Sequence, residues 1–326
     1  MLLLTPLVLY ASATSWDAGL QSNAWRQGQQ ALLDATVARQ MRSSIIITQQ
    51  QQEEEETAGA AAAGPLLPCV VPVATPPLPA SLPAEIQEIV TQVEKGLDKM
   101  FADSGATGGV AVLVYGDQVL TTHGYGTTRA DEATVPTGDT IFRVGSISKV
   151  FTDLMLHRFD EEGDDINLFT PITQLAPEYK PAWPAGIKAS PKGGSLRDLG
   201  SHKAGLARYS PCNFGDCNIT LETALARIAN WTLLFEPGSD NLMYSNTGFA
   251  LLGRLLERHS AEPWESILTK LATTLGMPST SGTTPQGADA KARIAYGYQA
   301  GQAIPLQELG FSNPAGGVYS TRCVCH

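Results

Sequence analysis

The sequence has few basic residues, few cysteines and few long apolar runs. Its 326 residues include 22 Lys and Arg against 32 Asp and Glu, which gives a formal net charge of −10. Without a Lys/Arg-rich stripe or tail, this balance argues against nucleic acid and anionic membrane as partners. No apolar run reaches the about 20 residues that a transmembrane helix needs. We therefore expect a soluble globular protein with no membrane span.

Five cysteines are too few for a disulfide scaffold. Cys212 and Cys217, in "SPCNFGDCNIT", would close a small surface loop in an oxidising compartment, and would be two free thiols in a reducing one. Cys323 and Cys325 stand beside His326. Structural zinc needs four placed ligands and a supporting shell, so we expect no metal site there.

The first residues, "MLLLTPLVLYASA", form a short apolar run that ends on small side chains, as a signal peptide does. We read residues 1–18 as this signal and expect a protein of the secretory pathway. An uncleaved apolar N-terminus is the alternative, because no Lys or Arg precedes the run. Asn218 in "NIT" and Asn230 in "NWT" are candidate N-glycosylation sites of a secreted chain, although such triplets also arise by chance.

Residues 19–83 do not have the pattern of a packed core. They contain "QQQQEEEE", an Ala/Gly run and a proline-rich stretch, a composition that favours a disordered leader. The folded domain is therefore expected to cover residues 84–326.

From there the hydrophobic pattern alternates between helix and strand. Apolar residues at helical spacing predict a first helix; they are Ile86, Ile89, Val90, Val93, Leu97, Met100 and Phe101. "GGVAVLVYGDQVLTTHGYG" then predicts a hairpin that turns at Gly116 and Asp117. A second helix is predicted over residues 147–160, with Val150, Leu154, Leu156 and Phe159 apolar, and a third over residues 247–258. This order indicates an α+β or mixed α/β enzyme domain.

The stretch "FRVGSISKVFT" places Ser146 three residues before Lys149. On a helix these two side chains share one face, and a lysine buried beside the hydroxyl would lose hydration and become a neutral amine base. Gly145 would permit a tight turn ahead of the helix. The alternative is a chance match, because Ser-x-x-Lys arises about once in a chain of this length and ordinary composition.

A second candidate is "YSN", Tyr244 to Asn246, again just ahead of a helix. A tyrosine hydroxyl near a lysine ammonium is pushed toward phenolate and can take the serine proton. Asn246 offers a donor and an acceptor for holding the lysine and a substrate amide. The alternative is an ordinary loop whose Ser245 caps the next helix.

The motifs "FRVGSISKVFT", "SLRDLGSHKAGL", "FEPGSDNLMYSNTGFALLGRLLE", "LGMPST" and "NPAGGVYST", in this order, resemble the serine β-lactamase and penicillin-binding-protein superfamily. The resemblance is to the class C β-lactamase and D-alanyl-D-alanine carboxypeptidase-like family, including the β-lactamase-like proteins of eukaryotes. It implies an antiparallel sheet flanked by helices, with an all-helical insertion.

By the same resemblance Ser146 is the nucleophile, Lys149 its activating lysine, Tyr244 the tyrosine base and Asn246 the lysine- and substrate-binding asparagine. His202 falls in a loop that is mainly structural in the family. The implied chemistry is acyl transfer through a Ser146 acyl-enzyme, on a small amide, lactam or ester and without a cofactor.

The family's third motif, Lys-Thr-Gly or His-x-Gly on a late strand, does not occur after Tyr244. In the family that strand carries a second oxyanion donor and binds substrate carboxylate. We therefore expect the C-terminal strands to be missing and the natural coding sequence to continue beyond His326. A competing interpretation is an inactive binding or assembly protein, or a fragment. Losing one oxyanion donor costs about 10²–10³ in turnover.

Overall fold

The computed structural model describes residues 8–13, 81–115, 118–190, 192–209, 211–212, 217–299, 302–306 and 308–322. Most of the predicted leader, the predicted Gly116–Asp117 turn and residues 323–326 lie outside these ranges. The chain forms two compact units. The first comprises residues 1–137 and 298–302, and the second comprises residues 138–297 and 303–326.

The first unit is built on a three-stranded antiparallel sheet in the order β1-β2-β3. Its elements are the strand β1 (Val8–Ala13), the helix α1 (Ala84–Ser104) and the strands β2 (Gly108–Tyr115) and β3 (Gln118–Gly126). The helix and the hairpin that the sequence predicts are both present. The β1 strand lies within the predicted signal peptide, and its Val8 pairs with Val114 of β2. The structure contains this segment and does not test whether it is cleaved, so cleavage stays a prediction.

The α1 helix packs its predicted apolar face on the sheet. Phe101 stacks on Tyr125 of β3 with ring centroids 5.0 Å apart. Thr121 donates a hydrogen bond to Glu94 across the same contact, at 2.8 Å. The helix ends at Gly105, which takes the left-handed conformation (φ 65°) that suits glycine.

The second unit is mostly helical, with short strands at its edge. Its helices are α2 (Ser148–Glu162), α3 (Ile172–Leu175), α4 (Leu196–Gly200), α5 (Leu221–Ile228), α6 (Asn246–Ser260), α7 (Trp264–Thr274), α8 (Ala288–Arg293) and α9 (Asn313–Gly316). Single 3₁₀ turns cover Gly145–Ile147 and Gly310–Ser312. The strands β4 (Phe142–Arg143) and β7 (Tyr319–Ser320) pair antiparallel. Two further short strands, β5 (Tyr298–Gln299) and β6 (Gln302–Ala303), occupy residues 298–303, of which residues 298–302 belong to the first unit.

The helix predicted over residues 147–160 exists as α2, but its buried face differs from the apolar pattern. Val150 is 63% exposed, and Leu154 is exposed as well. The buried positions include three polar residues, Ser148, Lys149 and Thr152. Burying a polar side chain requires hydrogen-bond partners inside the protein, so this face points to a polar contact that hydrophobic periodicity does not reveal.

The α6 helix forms the centre of the second unit and packs against α2, α4, α7 and α9. It is buried nearly all round; its fully buried residues include Ala250, Leu251, Leu252, Leu255 and Leu256. The α9 segment approaches it closely at Gly253, where an added Cβ would lie 2.4 Å from the Pro314 side chain. This close approach brings the "NPAGG" segment against the helix cluster.

Of the helices among the described residues, none combines the length and apolar content needed to cross a bilayer.

Candidate functional site

Ser146 lies in a tight turn that leads into α2. Gly145 adopts φ 54°, a left-handed conformation that glycine takes without steric cost, and this explains the glycine at that position. The 3₁₀ turn leaves the Ser146 side chain exposed to solvent. Its backbone N–H lies at the N-terminal end of the helical segment, where such groups lack partners within the helix.

Lys149 lies one turn further on and is buried, with 6% of its surface exposed. Its Nζ donates to Ser146 Oγ at 3.3 Å, to Asn246 Oδ1 at 2.8 Å and to the Ala315 carbonyl at 2.6 Å. An ammonium has three N–H donors, so these contacts satisfy all of them. The Ser-x-x-Lys spacing therefore brings the two side chains together, as the sequence predicts.

Burial lowers the pKa of Lys149 below its usual value, because the ammonium loses hydration. The neighbouring Tyr244 opposes this effect and raises that pKa, while the positive charge of Arg208 lowers it further. Desolvation is the largest of these effects, so the site favours the neutral amine more than water does.

Tyr244 approaches the serine from the other side. Its hydroxyl donates to Ser146 Oγ at 2.7 Å. The Lys149 Nζ lies 4.8 Å from the centroid of the Tyr244 ring. Four side chains that the sequence singled out thus converge: Ser146 and Lys149 at one helix start, and Tyr244 and Asn246 at another about 100 positions further along the chain.

The α9 segment supplies a contact that sequence reasoning missed, the Ala315 carbonyl under Lys149. Two more bonds tie this segment to α2: Thr152 donates to the Pro314 carbonyl at 2.8 Å, and the Val318 N–H donates to Ser148 Oγ at 3.0 Å. A backbone carbonyl carries no side-chain signal, so only the motif "NPAGGVYST" pointed to this region.

The Tyr244 side of the site is held by the segment around residues 202–209. Ser245 caps α6 by accepting from the Gly248 N–H at 2.9 Å, and it donates to the Ala207 carbonyl at 2.7 Å. The Asn246 N–H donates to the Arg208 carbonyl at 2.9 Å. The Arg208 guanidinium lies 5.1 Å from the Tyr244 ring centroid, a contact that sequence reasoning also missed.

The remaining predicted residues lie away from this cluster. The sulfur atoms of Cys212 and Cys217 are in contact, with Cα atoms 5.4 Å apart, as the predicted disulfide requires. Asn218 and Asn230 are both exposed, so their predicted glycosylation is sterically open. Within the described ranges, no group of three or more His, Cys, Asp or Glu side chains is arranged to hold a metal ion.

A hydroxyl in contact with a desolvated amine and a phenol is an arrangement that can move a proton off the serine oxygen. An activated serine oxygen can attack a carbonyl carbon. Nothing in this chemistry requires a metal or an organic cofactor.

Comparison with known proteins identifies the family of the chain. The β-lactamase family model matches residues 90–322, which is more than half of the chain. The chain belongs to the β-lactamase family. The chain is similar to β-lactamase-like protein 2 of Dictyostelium discoideum, at 32% identity over 74% of this chain and 45% of that protein.

Two further similarities involve bacterial proteins. The D-alanyl-D-alanine-carboxypeptidase/endopeptidase AmpH of Escherichia coli strain K12 is 28% identical over 70% of this chain and 58% of that protein. The crystal structure of a β-lactamase/D-alanine carboxypeptidase from Yersinia pestis, complexed with citrate, superposes with a TM-score of 0.56. It is 25% identical and covers 68% of this chain and 62% of that one. The chain thus spans about half the length of the curated relatives it matches.

Proposed function

We propose that this protein is a serine hydrolase that transfers an acyl group through a covalent intermediate on Ser146. The observation that carries the proposal is the pair of contacts on Ser146 Oγ, 3.3 Å to the Lys149 Nζ and 2.7 Å to the Tyr244 hydroxyl. The substrate class is a small amide, lactam or ester, because each offers a carbonyl carbon with a leaving group.

The proton leaves Ser146 Oγ for the Lys149–Tyr244 pair. When the lysine is neutral it keeps two N–H groups, which suit its shorter contacts to Asn246 and Ala315, and its lone pair then faces the serine. Lys149 as an amine with Tyr244 as a phenol, and Lys149 as an ammonium with Tyr244 as a phenolate, are two forms of one coupled pair. Either form can accept one proton.

The reaction follows in two balanced steps. Ser146 Oγ bonds to the carbonyl carbon, the pair takes its proton, and the bond to the leaving group breaks as that group receives the proton back. Water then attacks the ester carbon and gives a proton to the same pair. The pair returns that proton to Ser146 Oγ as the bond between Oγ and the acyl carbon breaks and the acid is released. The Ser146 N–H at the helical N-terminus is suited to donate to the carbonyl oxygen as it becomes negative.

The experiment is covalent labelling with a fluorescent fluorophosphonate and with a fluorescent penicillin. Ser146 displaces fluoride from the first probe and opens the lactam of the second, and both products remain attached to the protein. We expect labelling of the wild type and none of Ser146→Ala, with Ser148→Ala as the neighbouring-serine control. Equal labelling of wild type and Ser146→Ala would overturn the proposal.

A second candidate is an inactive relative that binds acyl compounds without turning them over. The same labelling experiment separates the two functions, because an inactive relative takes up neither probe covalently.

A further inference from the structure

We propose that His202 is a positioning residue that fixes Tyr244 against Ser146, an inference that rests on the proposed function. Its neutral imidazole and its carbonyl hold the backbone on both sides of Tyr244.

The backbone of His202 adopts φ 62°, in the left-handed region that residues other than glycine seldom occupy. It directly follows α4, where two hydrogen bonds close the helix end: the His202 N–H donates to the Leu199 carbonyl, and the Lys203 N–H donates to the Asp198 carbonyl. This is the Schellman pattern, and its left-handed position is usually glycine. A histidine there accepts backbone strain, which directs attention to its side chain.

Three contacts join His202 to three consecutive residues. Its carbonyl accepts from the Met243 N–H at 3.1 Å, and its Nδ1 accepts from the Ser245 N–H at 3.0 Å. Between these two bonds its ring lies against the Tyr244 ring, with centroids 4.5 Å apart. The residue before Tyr244 and the residue after it are therefore both tied to His202, and so the direction of the Tyr244 side chain is set.

The protonation state of His202 suits this role. Burial, together with the charge of Lys149, lowers the pKa of His202 to about 4. The imidazole is therefore neutral at physiological pH, with Nδ1 free of a proton and able to accept. Because Nδ1 accepts, the ring proton must be on Nε2.

The His202 ring also packs against Phe249, in addition to Tyr244. Phe249 of α6 lies 5.0 Å from the His202 ring, centroid to centroid, and the same phenyl ring lies 5.7 Å from the Lys149 Nζ. His202 and Lys149 thus share Phe249 as an aromatic neighbour. It does not touch Ser146, so its effect passes through Tyr244.

The first test uses three variants at this position, with acylation by a fluorophosphonate followed over time. His202→Asn keeps an acceptor at the atom equivalent to Nδ1 and tolerates the left-handed backbone. His202→Gly relieves the strain and removes the side chain, while His202→Phe keeps a ring without an acceptor. We expect the rate at saturating probe to fall by about 10²-fold in the Gly and Phe variants, as for a misplaced catalytic group.

We expect probe binding to stay near that of the wild type in all three variants and His202→Asn to recover most of the rate. A Gly variant that acylates at the wild-type rate would overturn the proposal, and so would an Asn variant no faster than Gly. Thermal unfolding of each variant shows whether a lost rate reflects lost folding.

The second test does not depend on activity. Nuclear magnetic resonance of ¹⁵N-labelled imidazoles in the wild type, which has five histidines, identifies the His202 signal by its absence in His202→Asn. We expect the tautomer protonated at Nε2. A proton on Nδ1 would contradict the bond from Ser245. If the wild type takes up no probe, the proposed function fails, and the tautomer still tests whether Nδ1 of His202 accepts from the Ser245 N–H beside Tyr244.

Discussion

The two helix starts that meet at the site are built differently. The α2 start has no side-chain cap and exposes Ser146. Lys149 and Thr152 donate buried bonds to carbonyls of α9, and Ser148 Oγ accepts from the Val318 N–H just beyond it. The α6 start is capped by the Ser245 hydroxyl and fastened to residues 202–209.

This difference suits the two helix starts to different roles, proton transfer at α2 and placement of the phenol at α6. The α2 start exposes Ser146, the proposed nucleophile, and buries the Lys149 amine beneath it, so it needs internal acceptors for a charged group. The α6 start brings a phenol to a position set by the backbone around it, so it needs rigid hydrogen bonds. Changes at α2 are therefore expected to affect proton transfer first, and changes at α6 to affect placement first.

The largest effect is expected at Lys149, on the α2 side. Lys149→Met keeps the length of the side chain and removes the proton acceptor, so acylation should slow by about 10²–10⁴-fold. Lys149→Arg is the matched control, because it keeps the charge but does not release its proton. Rapid labelling of the Arg variant would mean that only the charge matters, and would contradict the assigned role.

The next effect is expected at Tyr244, on the α6 side. Tyr244→Phe removes the hydroxyl that contacts Ser146 and keeps the ring beside His202, so acylation should slow by about 10²-fold with little change in stability. Tyr209→Phe is the matched control, since its side chain is exposed. An unchanged rate in Tyr244→Phe would leave Lys149 as the sole proton acceptor.

A smaller effect is expected on the free energy of unfolding, where one serine at each helix start can be replaced and the two losses compared. Ser148→Ala leaves the buried Val318 N–H without its acceptor, at a cost of about 1–3 kcal/mol in the free energy of unfolding. Ser245→Ala removes the α6 cap, at a cost of about 0.5–2 kcal/mol. Urea unfolding measures both. A Ser148→Ala protein as stable as the wild type would mean that the tie between α2 and α9 contributes little.

The smallest effect is expected at Arg208, whose charge lowers the pKa of Lys149. Removing a like charge raises that pKa, so the lysine becomes neutral only at higher pH. The acid limb of the acylation rate against pH should therefore move to higher pH in Arg208→Ala and stay in place in Arg208→Lys. A shift to lower pH in Arg208→Ala would contradict this electrostatic effect.

The sequence predicted the helices of the site within about two residues at each end, because long periodic segments between turns carry a strong signal. The helix predicted over residues 147–160 spans Ser148–Glu162, and that predicted over residues 247–258 spans Asn246–Ser260. The nearness of Ser146 and Lys149 follows from helix geometry alone. The nearness of Tyr244 does not; it was a hypothesis from the "YSN" segment ahead of a helix, strengthened by the family resemblance.

The contacts that complete the site could not be predicted from hydrophobic periodicity or from residue spacing. The Ala315 carbonyl under Lys149 and the Arg208 carbonyl on Asn246 are backbone groups, whose positions depend on the tertiary fold. The left-handed conformation of His202 was equally hidden, because the usual marker for that position is glycine. The polar face of α2 became interpretable only once its partners in α9 were known.

The most direct measurement is to locate the covalent adduct by mass spectrometry after fluorophosphonate labelling. Trypsin cleaves after Arg143 and Lys149 and releases the peptide "VGSISK", in which fragmentation distinguishes Ser146 from Ser148. We expect one adduct per chain, on Ser146. An adduct on Ser148, on another residue or nowhere in the chain would contradict it.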